Sequence, residues 1–306
     1  METMISSEKP DSRCGFVALI GAPNAGKSTL LNQVVGAKVS IVTHKVQTTR
    51  SLIRGIAIRN TTQIVFIDTP GIFQPKRRLD TAMVRTAWGG AGDADLVAVL
   101  IDARKGLNDE ALEILRKLEN IDQPKVLVIN KIDMIQREKL LKLTEEANAR
   151  VNFNATFMIS ALNGQGCDAL MDYLAEKMMV GPWHYPEDVV SDMPMRQLAA
   201  EITREKLFLR LHEELPYSST VETEKWEDRK DGSVRIEQVV YIQRENQKKI
   251  VLGKKGATIR DISMASRKEL CAVLEKKVHL FLFVKVRERW IDDPERYREM
   301  GLEFPR

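Results

Sequence analysis

Four short segments in the first half of the chain carry residue types and spacings suited to phosphate and purine chemistry. The first, Gly21-Ala22-Pro23-Asn24-Ala25-Gly26-Lys27-Ser28, fits GxxxxGK[ST] and runs into Thr29. Gly21 and Gly26 let the backbone turn tightly and aim N–H groups at phosphate oxygens, and a helix starting there turns its positive dipole end to the same anion. Lys27 can neutralise the β- and γ-phosphates, and the Ser28 hydroxyl is a hard oxygen of the kind Mg²⁺ takes. The second segment, Asp68-Thr69-Pro70-Gly71, offers a carboxylate to the hydration shell of Mg²⁺ and the Gly71 N–H to the γ-phosphate.

The third segment, Asn130-Lys131-Ile132-Asp133, chooses the base. A carboxylate on Asp133 accepts both the N1 and N2 protons of guanine, which adenine does not offer. Asn130 can fix the neighbouring loop and approach the purine edge, and the Lys131 stem can lie over the ring. In the fourth, Ser160-Ala161-Leu162, the Ala161 N–H is placed to donate to guanine O6 while Ser160 buttresses the loop. Between the first two lies Val46-Gln47-Thr48-Thr49-Arg50-Ser51. A threonine there is expected to reach Mg²⁺ and the γ-phosphate in the triphosphate state only, with Thr49 the first choice and Thr48 its rival. The ligands implied are GTP or GDP with Mg²⁺, held by Ser28, Thr49 and Asp68. Residues 37–50 and 71–90 are the expected moving parts, because loops ordered by a γ-phosphate relax once it leaves.

These loops need strands to end where they begin. Apolar runs at 15–20, 52–58, 63–67, 96–100, 125–130 and 155–160 alternate with amphipathic stretches, and LVAVLI and KVLVI are nearly continuous in apolar residues, as strands covered on both faces require. The pattern predicts an α/β domain with a mostly parallel sheet over residues 14–181. Each motif follows a strand, and an open α/β sheet binds its ligand at the carboxyl ends of its strands.

Prolines in GPWHYPEDVVSDMP mark a linker at 182–194. Beyond it, 195–306 reads as a long helix over 194–215, a hairpin turning at Lys230-Asp231-Gly232, a helix ending in Ile250-Val251-Leu252, the GxxG of Gly253-Lys254-Lys255-Gly256, a helix or bent pair carrying Ile259, and a last strand VHLFLFVKV. Helix, hairpin, helix, GxxG, helix, strand is the order of an α+β type II KH domain, which clamps single-stranded RNA over the GxxG loop. Lys254 and Lys255 supply charge at that contact, Ile250, Val251 and Ile259 an apolar groove, and Lys248, Lys249, Arg260, Arg267 and Lys268 can extend the basic path. Residues 191–306 hold 24 Lys and Arg against 21 Asp and Glu, so RNA affinity must come from clustering rather than net charge.

Bulk composition sets bounds on the rest. The 306 residues suffice for two cores, and 47 Lys and Arg against 43 Asp and Glu announce no polyanion partner, DNA included. Cys14, Cys167 and Cys271 stand far apart without metal spacing, as reduced cytosolic thiols do. The first 13 residues are polar and read as a disordered leader, with no signal peptide or membrane span behind them. A soluble, cytoplasmic protein is the expectation.

GAPNAGKSTLLN, QTTR, DTPGIFQPKRRLD and NKID, together with the downstream domain, resemble the Era family of bacterial ribosome-assembly GTPases over nearly the whole chain. The resemblance implies GTP hydrolysis, binding of the 3′ region of small-subunit rRNA, and action in late maturation of the 30S subunit, by a monomer with peripheral inner-membrane association reported for members. Ile72 stands where Ras-like enzymes carry the glutamine that orients water, so catalysis is expected to rest on Lys27, Thr49, Asp68 and Gly71. By similarity to relatives with PNxGKS, Asn24 would add a K⁺ near the phosphates. A tRNA-modifying GTPase lacks support, since the chain ends GLEFPR without that group's cysteine motif. A slow-turnover nucleotide sensor that binds RNA remains the other alternative.

Overall fold

The computed structural model describes residues 11–288 and 290–305. Residues 1–10 of the expected leader lie outside the described residues, and its last residues are ordered. Arg13 already opens the first strand, and the Ser12 hydroxyl donates to the Gly181 carbonyl at 2.9 Å.

Described residues fall into two compact units. One gathers residues up to Val39, Ser51–Pro75 and Met83–Asp192; the other gathers Ser40–Arg50, Lys76–Ala82 and residues from Met193 onward. In chain order the elements are β1 (Arg13–Gly21), α1 (Lys27–Val35), β2 (Ile53–Arg59), β3 (Thr62–Asp68), α2 (Arg78–Gly92), β4 (Leu96–Asp102), α3 (Asp109–Lys117), β5 (Lys125–Asn130), α4 (Arg137–Asn148), β6 (Ala155–Ile159), α5 (Cys167–Lys177) and β7 (Met179–Val180). The sheet order is β2-β3-β1-β4-β5-β6, with β7 on β1; β2 runs antiparallel to β3, while β3, β1, β4, β5 and β6 are mutually parallel. Every residue of β3 and β4 is buried, which accounts for their unbroken apolar runs.

The chain leaves β1 towards β3 on one side and returns to β4 on the other. The strand order therefore reverses at β1, where α/β sheets open a crevice at their carboxyl edge. Register aligns the ends there: Leu19 pairs with Asp68, Gly21 with Leu100, and Asp102 with Asn130.

The second unit contains α6 (Met195–Arg210), β8 (Ser219–Asp228), β9 (Val234–Ile242), α7 (Glu245–Leu252), α8 (Ala257–Leu274), β10 (Val278–Val286) and α9 (Pro294–Glu299). Its sheet runs β10-β9-β8, antiparallel between β8 and β9 and parallel between β9 and β10. The expected helix over 194–215 stops at Arg210, because Leu211 turns extended and, with Leu215, drops into the core beside Phe208 and Val240. The segment after Gly256 forms a single helix, α8. The charged tail also contributes core: Trp290 and Tyr297 are buried, and Trp290 Nε1 donates to the Ser218 carbonyl at 3.1 Å.

Two segments depart from the continuous boundaries read in the sequence. Residues 183–189 of the expected linker pack on the first unit, with Trp183, Tyr185 and Val189 against Cys14, Ile56 and Val65. Buried Gln63 holds them, donating to the Tyr185 carbonyl at 2.8 Å and accepting from the His184 and Tyr185 amides. Conversely, 40–50 belongs to the second unit. Arg50, buried over the rings of Phe208 and Trp290, donates to the carbonyls of Ser219, Pro216 and Tyr217. Arg204 donates to the Thr48 carbonyl, and Glu205 accepts from the Val42 amide at 2.8 Å.

Candidate nucleotide site and RNA-binding surface

The loop 21–26 leaves β1 and enters α1 at Lys27. Gly26 sits at φ 100°, and a Cβ there would lie 2.1 Å from Asn130 Nδ2, so both the conformation and the approach of the base loop demand glycine. Lys27 is buried and donates to the carbonyls of Gly21 at 2.9 Å and Ala22 at 3.2 Å. Burial pushes its ammonium down to about 8, against the pull of Asp68. The Ser28 hydroxyl donates to Asp68 Oδ2 at 2.6 Å. Two hard oxygens side by side at a cradle of backbone amides form a donor set that fits Mg²⁺.

After Asp68 the chain passes back along the loop: the Thr69 hydroxyl donates to the Leu19 carbonyl at 2.7 Å, and the Ile72 amide donates to Gly21 O at 3.1 Å. Pro70 and Gly71 lie within this passage. Ile72 is 3% exposed and sits in the core with Ile20 and Val99, so the position after Gly71 serves packing.

Asn130 ties three loops together. Its Nδ2 donates to the Ala25 carbonyl at 2.9 Å, and its Oδ1 accepts from the Lys131 amide at 2.8 Å and the Ala161 amide at 2.9 Å. The Ala161 N–H expected at guanine O6 thus points to Asn130 here. Ser160 is buried and closes its loop through backbone bonds with Gln165 and Gly164; Leu162 is 80% exposed. Asp133 lies exposed on a short 3-10 turn after Lys131.

Sequence reasoning missed Asp102. At the end of β4 it is buried, and its Oδ2 binds Lys131 Nζ at 2.7 Å while Arg104 clamps both oxygens. Burial alone would raise this carboxyl, but hydrogen bonds from Arg104 and Lys131 outweigh it and hold it at about 2. Its signal was an acidic residue ending an otherwise apolar strand. Thr48 and Thr49 belong to the second unit: the Thr48 hydroxyl donates to Lys45 O at 2.7 Å, and Thr49 is buried.

In the second unit, Gly253 links α7 to the loop at φ 71°, where a Cβ would meet Thr258 Oγ1 at 2.2 Å. Lys254 and Lys255 are exposed at the tip. A groove of about 200 Å³ runs along α8 and β10, lined by Ile259, Arg260, Ser263, Met264, Arg267, Leu280 and Leu282. Apolar floor and arginine rim suit bases and phosphates together. Ile250 is 59% exposed, but Val251 is wholly buried with Leu207 and Phe208. The expectation that Val251 touches RNA is therefore corrected: one step along a helix turns it into the core.

Two family models match separate stretches of the chain. Residues 16–131 match "50S ribosome-binding GTPase" and residues 214–291 match "KH domain". GTPase Era of Mesorhizobium japonicum is 66% identical over all of this chain and 98% of its own length, and that of Rhizobium meliloti 69% over 96% and 94%. A crystal structure of Era with MgGDPNP and nucleotides 1506-1542 of 16S ribosomal RNA superposes with TM-score 0.89 at 37% identity, covering 95% of this chain and 99% of its own. A variant of Aquifex aeolicus Era bound to GDP.AlF4- gives the same score and identity, covering 94% and 99%. The fold is thus a P-loop GTPase domain followed by a KH domain. No helix among the described residues is long and apolar enough to cross a membrane. The chain belongs to the Era family of GTPases, enzymes that hydrolyse GTP.

Proposed function

We propose that the protein is a GTP-driven switch that binds 16S rRNA near its 3′ end and assists late maturation of the 30S subunit. The observation that carries this reading is one chain holding both a phosphate-type loop bonded to Asn130 and a KH-type unit with exposed Lys254 and Lys255 and an apolar, arginine-rimmed groove along α8 and β10. The 37%-identical Era solved with MgGDPNP and 16S nucleotides 1506-1542 supports the choice of RNA and of Mg²⁺.

In this account Lys27 exchanges its two loop carbonyls for β- and γ-phosphate oxygens, and the amides of residues 22–29 surround the phosphates. Ser28 and Asp68 would hold Mg²⁺, which when bound stabilises charge on the transferring phosphoryl group. Thr49, with Thr48 as the alternative, completes that set in the triphosphate state, and the Gly71 amide meets the γ-phosphate. With Ile72 committed to the core, no side chain at that position orients water. Asn24 instead helps place a K⁺ beside the phosphates. Equal turnover in Na⁺ and K⁺ would remove that ion from the account.

Asp133 reads guanine N1 and N2, Lys131 covers the ring, and Asn130, Ser160, Ala161 and Leu162 frame it. Lys254 and Lys255 clamp the RNA backbone over Gly253 and Gly256, with bases along Ile250 and Ile259. The protein works as a monomer in the cytoplasm, and any attachment to the inner membrane is peripheral. The test is fluorescence anisotropy with a labelled 3′ 16S oligonucleotide and a scrambled one at several salt concentrations. Preference for the native sequence supports the reading; equal binding to both overturns it.

A further inference from the structure

Lys131 carries a long, flexible side chain with three donors and four carbons of freedom, and such chains lose much rotamer entropy when fixed. Two acceptors fix it at its tip. One is the Asn24 carbonyl in the phosphate loop; the other is Asp102 Oδ2 at 2.7 Å. Lys131 also takes φ 67°, a left-handed conformation that starts its side chain back across the loop. Asp102 is held in turn, with Oδ1 accepting from the Arg104 amide at 3.0 Å and Nε at 3.1 Å, and Oδ2 from its guanidinium at 2.8 Å. Strand register puts Asp102 beside Asn130, so the carboxylate is delivered to the base loop by the sheet itself.

We infer that Asp102 is a positioning residue for guanine recognition, holding the Lys131 ammonium so that its aliphatic stem lies along the purine. The inference rests on the reading that Lys131 covers the base. Arg104 occupies Oδ1 and shares Oδ2, so Lys131 meets the carboxylate through Oδ2 alone, beside its bond to the Asn24 carbonyl. A buried anion with two cationic partners is a demanding arrangement to keep at a strand end, and its geometry converges on the loop that selects the nucleotide.

A double-mutant cycle on the full chain tests this, with affinity for fluorescent GDP as the readout. Asp102→Asn and Lys131→Ala are each expected to weaken binding roughly tenfold, the order set by one charge-assisted hydrogen bond. The double variant should be no weaker than the worse single one, and the loss should fall on KM for GTP rather than on kcat. Asp102→Glu, which keeps the charge, should recover part of the affinity. Arg104→Ala, which leaves the Asp102–Lys131 pair in place, should change it by less than about threefold.

Additive losses in the double variant would overturn the inference, as would full affinity in Asp102→Asn. If Lys131→Ala itself leaves affinity unchanged, the fault lies in the base-covering reading beneath it. Should Asp102→Asn fail to fold by circular dichroism, the cycle is repeated with Asp102→Ser, whose smaller side chain leaves room for water.

Discussion

Gly26 and Asn130 are in direct apposition: the space a Gly26 side chain would occupy is filled by the Asn130 amide nitrogen, 2.1 Å from the ideal Cβ position. That nitrogen donates to Ala25 O at 2.9 Å, so phosphate loop and base loop are one bonded structure. Gly26→Ala must push Asn130 away while forcing alanine to φ 100°, a strain of about 1–3 kcal/mol. Loss of nucleotide binding by more than about tenfold is the expected outcome, measured by titration with fluorescent GDP against retained helix content.

Lys27 gives a pH prediction with a definite sign. In the folded apo protein its ammonium sits at about 8 rather than 10.5. Between those values the unfolded chain holds a proton that the native chain lacks, so apo stability rises with pH across that window. Nucleotide phosphates favour the charged lysine, so affinity should fall as pH rises past about 8, with proton uptake on binding. Calorimetric titration near pH 9 in two buffers of different ionisation enthalpy measures that uptake.

Asp133, proposed to accept two guanine protons, becomes a donating amide in Asp133→Asn. Preference should move from guanine towards xanthine nucleotides, read as the ratio of GDP to XDP affinities. Unchanged guanine selectivity would remove Asp133 from base recognition.

Lys254→Asp with Lys255→Asp should weaken RNA binding and lower the salt slope by about two, one for each phosphate no longer neutralised. GDP affinity should stay at the wild-type value. Loss of both activities would point to misfolding instead.

Arg50→Met removes five buried donors from a site where the carbonyls of Ser219, Pro216 and Tyr217 face the guanidinium. Uncompensated carbonyls should cost roughly 2–4 kcal/mol, seen as a lowered urea midpoint for the transition that exposes Trp290.

What the sequence disclosed and what it hid follow from the range of the interactions. Gly26, Lys27, Ser28, Asp68, Asn130 and Asp133 stood out because phosphate and purine chemistry demands particular residue types at fixed local offsets, and the structure brings Ser28 to Asp68 and Asn130 to Ala25. The strands were legible from apolar runs, and the GxxG loop from the order of elements around it. Asp102 was hidden, since only strand register reveals that it faces Asn130 and Lys131. Ile250-Val251-Leu252 offered three apolar residues in a row, which conceals helical phase; only the packed core separates exposed Ile250 from buried Val251. The end of α6 at Arg210 depended on a core that needs Leu211 and Leu215. Membership of 40–50 in the second unit rests on Arg50, Arg204 and Glu205 acting across more than 150 residues of chain.

The most direct test of the central claim is UV crosslinking of the protein in cells, followed by sequencing of the attached RNA. The account predicts enrichment at the 3′ end of 16S rRNA, abolished by the Lys254 and Lys255 substitutions. Enrichment of tRNA, or recovery of no RNA above background, would contradict it.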